Sequence, residues 1–171
     1  TWFSNDPMPF HIQELMKTWK KILPDYEFIL WDGKKLAEVN NVFANEAASV
    51  GKWAFASDYI RCYAVYHYGG IYLDTDIEVF KSFNPFLNCR MFIGVEANFH
   101  ERPKKRYLTA HVFGAEKHHP FLKDCLEYYK QVNRIRRGKT SQLKAKNKVP
   151  CDWNTRLTEV DKIHPVQTIC L

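Results

Sequence analysis

No apolar run in this sequence approaches the length of a membrane span, and nothing in it resembles a secretory signal peptide. No internal repeat or low-complexity tract is visible, so there is no sign of a solenoid or other repeat array. Cysteine gives no framework either. The five cysteines, Cys62, Cys89, Cys125, Cys151 and Cys170, are odd in number and widely spaced, with no CxxC pair and no Cys/His ligand spacing. They read as reduced core thiols in a reducing compartment.

What is present suits a single domain. A chain of 171 residues, 46% hydrophobic and 15% aromatic, is long enough to bury a sizeable core, which excludes a small disulfide-dense scaffold. Twenty-five basic against nineteen acidic residues give a net charge of +6, and the excess collects in residues 101–106 and 134–148. Such runs attract nucleic acid or an anionic membrane in some proteins; here they read as solvated loops, with 138–150 a flexible basic loop.

Helical spacing of Ile12, Leu15, Met16, Trp19 and Leu23 predicts an amphipathic helix that Pro24 stops. Residues 26–31 read as a strand closed by Asp32-Gly33, and residues 34–50 as one or two short helices punctuated by Asn40-Asn41. Residues 52–68 contain no proline or glycine and predict a helix that Gly69-Gly70 ends. Strands follow at 71–74, 77–80, 91–95 and 108–113, with a turn at 83–86, a helix opening at Pro120 and a last strand within 163–171. Strands alternating with helices argue for an α/β sandwich around a mainly parallel sheet, with ligands at the carboxyl ends of the strands.

The chemistry concentrates in residues 52–79. The strand Ile71-Tyr72-Leu73 delivers Asp74 and Asp76, and alternation along a strand puts both carboxylates on one face with Thr75 pointing away. Two acidic oxygen ligands suit Mg²⁺ or Mn²⁺ bound together with a substrate's phosphates. Taken alone, the pair is also compatible with a polar turn. Asp58 and Arg61 share a helix face, and as an exposed ion pair they contribute under about 0.5 kcal/mol. The competing expectation is that the helix packs on the strand and brings Asp58, Arg61 and the aspartates to one end of the sheet. His111, His118 and His119 read as structural rather than as ligands, and so does His67.

Ala56-Ser57-Asp58-Tyr59-Ile60-Arg61 followed by Tyr68-Gly69-Gly70-Ile71-Tyr72-Leu73-Asp74-Thr75-Asp76 resembles the signature of the DXD sugar transferases of glycosyltransferase family 32. That family is similar to the yeast-type initiating mannosyltransferases, bacterial capsule-synthesis enzymes and, more distantly, the glucosylating bacterial toxins. The likeness extends through Trp2-Phe3, Trp19-Lys20, Pro24 to Glu27, Trp31-Asp32, Gly94-Val95-Glu96 and His119-Pro120. It implies a GT-A (Rossmann-like) nucleotide-sugar-binding fold over residues 1–171, Mn²⁺ or Mg²⁺, a UDP- or GDP-sugar donor, and transfer of a hexose to a saccharide or other hydroxyl with retention. Carried over by position, Asp76 is the direct metal ligand and Asp74 bridges to ribose, sugar or metal-bound water. Asp58 and Arg61 hold the sugar hydroxyls and the departing phosphate side, Tyr72 reaches the donor, and Trp2 stacks on the base. From the residues alone, Tyr72 and Trp2 are equally core aromatics.

The resemblance further implies a cytoplasmic place at the inner face of a bacterial membrane, in surface or capsular polysaccharide synthesis. Peripheral membrane contact would run through the basic loops, and no nucleic acid partner is expected. Two departures stand out. The family's first strand, an apolar run ending in histidine, and its histidine-rich carboxyl-terminal segment ending in Ser-Trp are expected to be missing from this chain. Two rival functions remain open, a non-catalytic basic binding module for nucleic acid or membrane and a HAD-like phosphatase. The latter wants Thr or Val where this chain has Glu78, and wants the motif on its first strand.

Overall fold

The computed structural model describes residues 1–4, 6–97, 106–131 and 168–170. Helix α1 (Phe10–Ile22) buries Ile12 and Trp19, and the chain turns at Leu23-Pro24 into strand β1 (Glu27–Ile29). The asparagine pair makes two helices of the next segment. Asn40, in the left-handed region at φ 48°, ends α2 (Gly33–Val39), and the Asn41 side chain accepts from the Ala44 amide to start α3 (Val42–Ser49). Helix α4 (Trp53–Tyr68) stops at Gly69, whose φ of 71° is costly for any residue with a Cβ, and β2 (Gly70–Leu73) follows at once.

Beyond β2, a 3-10 turn (Asn84–Phe86) leads to β3 (Met91–Ala97), β4 (Arg106–Ala115), α5 (Pro120–Gln131) and β5 (Thr168–Cys170). The sheet order is β1-β5-β2-β4-β3. Strands β1, β5 and β2 run parallel, while β4 runs antiparallel to both β2 and β3, so the sheet is mixed rather than mainly parallel. The reason lies in the connections. Helices α2 to α4 lie between β1 and β2, and α5 lies between β4 and β5, whereas β3 and β4 are consecutive antiparallel strands.

Alternation along β2 divides the core. Tyr72 packs with α3, α4 and α5 on one face of the sheet, and Ile71 and Leu73 pack with Trp19 and Leu23 from the α1 side on the other. Each of these strand residues is fully buried, contributing roughly 1.5–3 kcal/mol. The strand expected at 77–80 does not form. Instead the Ile77 carbonyl accepts from the Trp19 indole at 2.8 Å and Val79 is buried, so side-chain anchoring to α1 replaces strand pairing there. Residues 101–105, the basic run 134–148 with its expected loop at 138–150, and most of the expected 163–171 strand lie outside the described residues.

Candidate active site

Residue counting explains why the helix and the aspartates meet. From Arg61 to the end of α4 the chain descends about 10 Å, and from Gly70 to Asp74 it climbs back about 13 Å, so Arg61 is level with the carboxyl end of β2. The guanidinium is buried there, only 7% exposed, with its face 4.8 Å from the centre of the Tyr72 ring. Its Nε donates to the Ser57 carbonyl at 3.3 Å, Nη1 to the Ala110 carbonyl at 2.7 Å and Nη2 to Ser57 Oγ at 3.2 Å. Ion pairs run from Nη2 to Asp58 at 3.2 Å and from Nη1 to Asp74 at 3.5 Å.

Asp74 gathers the rest. Tyr72 Oη donates to its Oδ1 at 2.5 Å, His111 Nδ1 lies 2.9 Å from its Oδ2, and its backbone amide donates to the His111 carbonyl at 2.9 Å. Ser57 Oγ lies 3.1 Å from Tyr72 Oη and 2.5 Å from Thr1 Oγ1, which makes this buried hydroxyl the junction of helix, strand and amino-terminal segment. Burial raises the Tyr72 phenol well above its ordinary pKa; Arg61 lowers it in part, and Asp74 raises it further as neighbouring charge and hydrogen-bond acceptor. Tyr72 therefore stays a proton donor. Burial opposes the charge on Arg61, but Tyr72, Asp74 and Asp58 outweigh it and hold the guanidinium above its ordinary value.

The aspartate pair is arranged differently from the alternating strand expected above. Strand β2 ends at Leu73, and Asp74-Thr75-Asp76 forms a turn in which the Ile77 amide donates to the Asp74 carbonyl at 3.2 Å. Asp74 points into the Arg61 network while Asp76 is exposed at the turn. The cause is local chemistry, since Asp-Thr-Asp favours a turn once the apolar strand residues run out. Trp2 lies beside the carboxyl end of β1. Its amide donates to the Trp31 carbonyl at 2.9 Å and its indole to the Asp6 carbonyl at 3.0 Å.

Ser57, Asp58, Arg61, Tyr72 and Asp74 are thus brought together, with Asp76 exposed at the adjoining turn; of the amino-terminal segment it is Thr1 that reaches Ser57, while its neighbour Trp2 bonds to Trp31 and Asp6. Two members carried no assigned role in the sequence. Ser57 sits four residues before Arg61, a helical spacing that puts both on one face. His111, read above as a structural strand residue, joins the site through the β2–β4 register that pairs Leu73 with Val112. The helix expected to open at Pro120 forms, with His118 and His119 just ahead of it. His118 adopts φ 62° ahead of α5, and His119 Nδ1 lies 3.2 Å from the Phe121 amide.

Among the described residues no group of three or more His, Cys, Asp or Glu side chains stands together as a metal cluster. The donor set is an exposed carboxylate at Asp76 and an engaged one at Asp74. That fits a hard cation sharing its coordination with substrate phosphates and water, and does not fit an all-protein cage.

Residues 9–93 match the family described as "glycosyltransferase sugar-binding region containing DXD motif". That stretch of 85 residues carries the family's sugar-binding region, and Asp58, Arg61, Tyr72, Asp74 and Asp76 all lie within it. Among curated relatives, it is similar to inositol phosphoceramide mannosyltransferase 3 of Schizosaccharomyces pombe, at 28% identity over 126 residues, covering 71% of this chain and 33% of that protein. It is also similar to human alpha-1,4-N-acetylglucosaminyltransferase, at 33% identity over 103 residues, covering 57% of this chain and 27% of that protein. The chain thus spans about a third or less of the length of these relatives. The family match and the names of these relatives are those of sugar transferases.

Proposed function

We propose that this chain is the donor-binding core of a GT-A enzyme. The enzyme is metal-dependent and retaining, and it moves a sugar from a nucleotide-sugar to a hydroxyl of a saccharide or lipid acceptor. The observation that carries the proposal is the meeting of Asp58, Arg61, Tyr72 and Asp74 at the carboxyl end of a parallel strand. Ligands of open α/β sheets gather at such ends. The relatives above are named for mannose and for N-acetylglucosamine, so likeness across this region selects no sugar, and the proposal names none.

Asp76, with Asp74 behind it, would hold Mn²⁺ or Mg²⁺. Such an ion supplies Lewis-acid stabilisation of charge developing on a diphosphate. Asp58, with 39% of its side chain exposed, is placed to accept hydrogen bonds from sugar hydroxyls and to tolerate positive charge on the ring. The donors of Arg61 are turned inward, so its part is to hold both carboxylates and the Tyr72 ring in register while adding positive charge beneath the diphosphate. Trp2, beside the carboxyl end of β1, would offer a stacking surface for the base. A role in polysaccharide synthesis, in the cytoplasm against a membrane, belongs to the same proposal and rests on the family resemblance.

A thermal-shift titration tests the core of it. Mn²⁺ with a nucleoside diphosphate at about 100 times Kd adds about 2.7 kcal/mol, which for a chain of this length raises Tm by roughly 5–10 °C. Asp76→Asn should remove that gain while leaving the unliganded Tm unchanged. Equal gains in mutant and parent would refute the assignment of Asp76.

A further inference from the structure

His111 Nε2 has no hydrogen-bond partner among the described residues, although the rest of this residue is firmly held. Strand β4 extends past the end of β2, whose last pairing joins Leu73 to Val112. Just beyond that pairing the Asp74 amide donates to the His111 carbonyl at 2.9 Å, and Arg61 Nη1 donates to the neighbouring Ala110 carbonyl at 2.7 Å. The imidazole then places Nδ1 2.9 Å from Asp74 Oδ2. A carboxylate only accepts, so Nδ1 carries the proton in this bond and the neutral ring keeps its lone pair on Nε2. The side chain of His111 is 60% exposed against 21% for Asp74, so the ring is the part of the pair that opens to solvent.

On the reading of Asp76 as a metal ligand, on which this step rests, we propose that His111 supplies a nitrogen ligand to the same cation and makes the site select Mn²⁺ over Mg²⁺. A carboxylate that holds one ring nitrogen and leaves the other free is the arrangement that orients a metal-ligating imidazole. Asp74 is suited to that task. Tyr72 and Arg61 occupy its Oδ1, and Oδ2 remains to fix the ring. Asp76 stands two residues from Asp74, exposed on the turn that follows β2, so the carboxylate and the imidazole come from adjoining segments at the carboxyl end of that strand. Two protein ligands leave the other positions to phosphate oxygens and water. Mg²⁺ takes oxygen ligands and gives up its water reluctantly, whereas an imidazole nitrogen suits first-row transition ions, so the nitrogen favours Mn²⁺.

The test follows Mn²⁺ bound to the full chain, carrying ¹⁵N-labelled histidine, by electron paramagnetic resonance, with the metal alone and with UDP or GDP added. The expected signature is a ¹⁵N coupling in the pulsed spectrum of the bound ion, lost in His111→Ala. That variant should bind Mn²⁺ about tenfold more weakly or worse, while its Mg²⁺ affinity, read by competition, stays as in the parent. Mn²⁺ that binds without a histidine nitrogen, yet is lost in Asp76→Asn, would overturn the role of His111 and leave the donor-site reading standing. Equal losses of both ions in His111→Ala would overturn it as well, because a residue that only supports the fold does not distinguish them. A parent that binds no Mn²⁺ with either nucleotide refutes both readings. The decisive spectrum is that of the parent, so it stands whether or not the variants fold.

Discussion

Replacing Tyr72 by Phe isolates one bond at the centre of the site. The side chain is fully buried, its hydroxyl donates to Asp74 Oδ1 at 2.5 Å, and it lies 3.1 Å from Ser57 Oγ. Removing the hydroxyl leaves a gap smaller than a methyl group and few orphaned partners. Asp74 keeps Arg61 and His111, and Ser57 keeps Arg61 and Thr1. The loss is therefore close to one charge-assisted hydrogen bond, about 1.5–3 kcal/mol, reduced to about 1–2 kcal/mol by the gain in apolarity. For a chain of this length that corresponds to a fall in Tm of roughly 2–8 °C. Urea unfolding of the parent, Tyr72→Phe, Asp74→Asn and the double variant measures it directly, with an expected coupling of about 1 kcal/mol or more. A coupling near zero, or a Tyr72→Phe variant within about 0.3 kcal/mol of the parent, would refute the reading of Tyr72 as the strut of Asp74.

Gly69→Ala should cost about 1–3 kcal/mol in urea unfolding, because φ is 71° and an added Cβ would lie 3.1 Å from the Lys117 amide nitrogen. Arg61→Lys should cost roughly 2–4 kcal/mol and weaken nucleotide binding at least about tenfold, since an ammonium cannot reproduce the flat fork serving Ser57, Ala110, Asp58 and Asp74. Burial raises the phenol pKa values of Tyr72, Tyr59 and Tyr129 in the folded state. Their contribution is complete below the unfolded value of about 10 and declines as pH rises from there through the folded values, so stability should fall in alkali and Tyr72→Phe should flatten part of the fall.

Most helices and the site segment were legible because their signals are local. Apolar spacing ended by Pro24 gave α1, and a proline- and glycine-free run ended by Gly69-Gly70 gave α4. The short return through Gly69-Gly70 placed Arg61 opposite Asp74, a consequence of helix rise and strand rise alone. What could not be read depends on pairing across long separations. The antiparallel course of β4, the arrival of His111 beside Asp74 and the replacement of a strand by Trp19 anchoring at Ile77 are each decided by partners distant in sequence. The strand-like reading of Asp74 and Asp76 failed for a related reason, since β2 is only four residues long and its pairing with β4 ends at Leu73.

The charge balance of the site leads to a last prediction. Asp58 and Asp74 share one guanidinium, Arg61, and the exposed Asp76 adds a further carboxylate at the adjoining turn, which leaves an excess of negative charge where a diphosphate is proposed to lie. An anion should then bind poorly unless a cation enters with it, so nucleotide and metal affinities should each rise in the presence of the other. Asp76 is the residue to perturb, because it is exposed on a turn and outside the Arg61 network. Asp76→Lys exchanges a repulsion for an attraction, worth on the order of 1 kcal/mol per phosphate charge at water-like screening, so metal-free nucleoside diphosphate should bind roughly tenfold more tightly or better. Titration calorimetry with and without Mn²⁺ reads both effects. If Asp76→Lys binds metal-free nucleotide no better than the parent, the turn does not face the phosphates, and the placement of the donor over Asp74 and Asp76 fails with it.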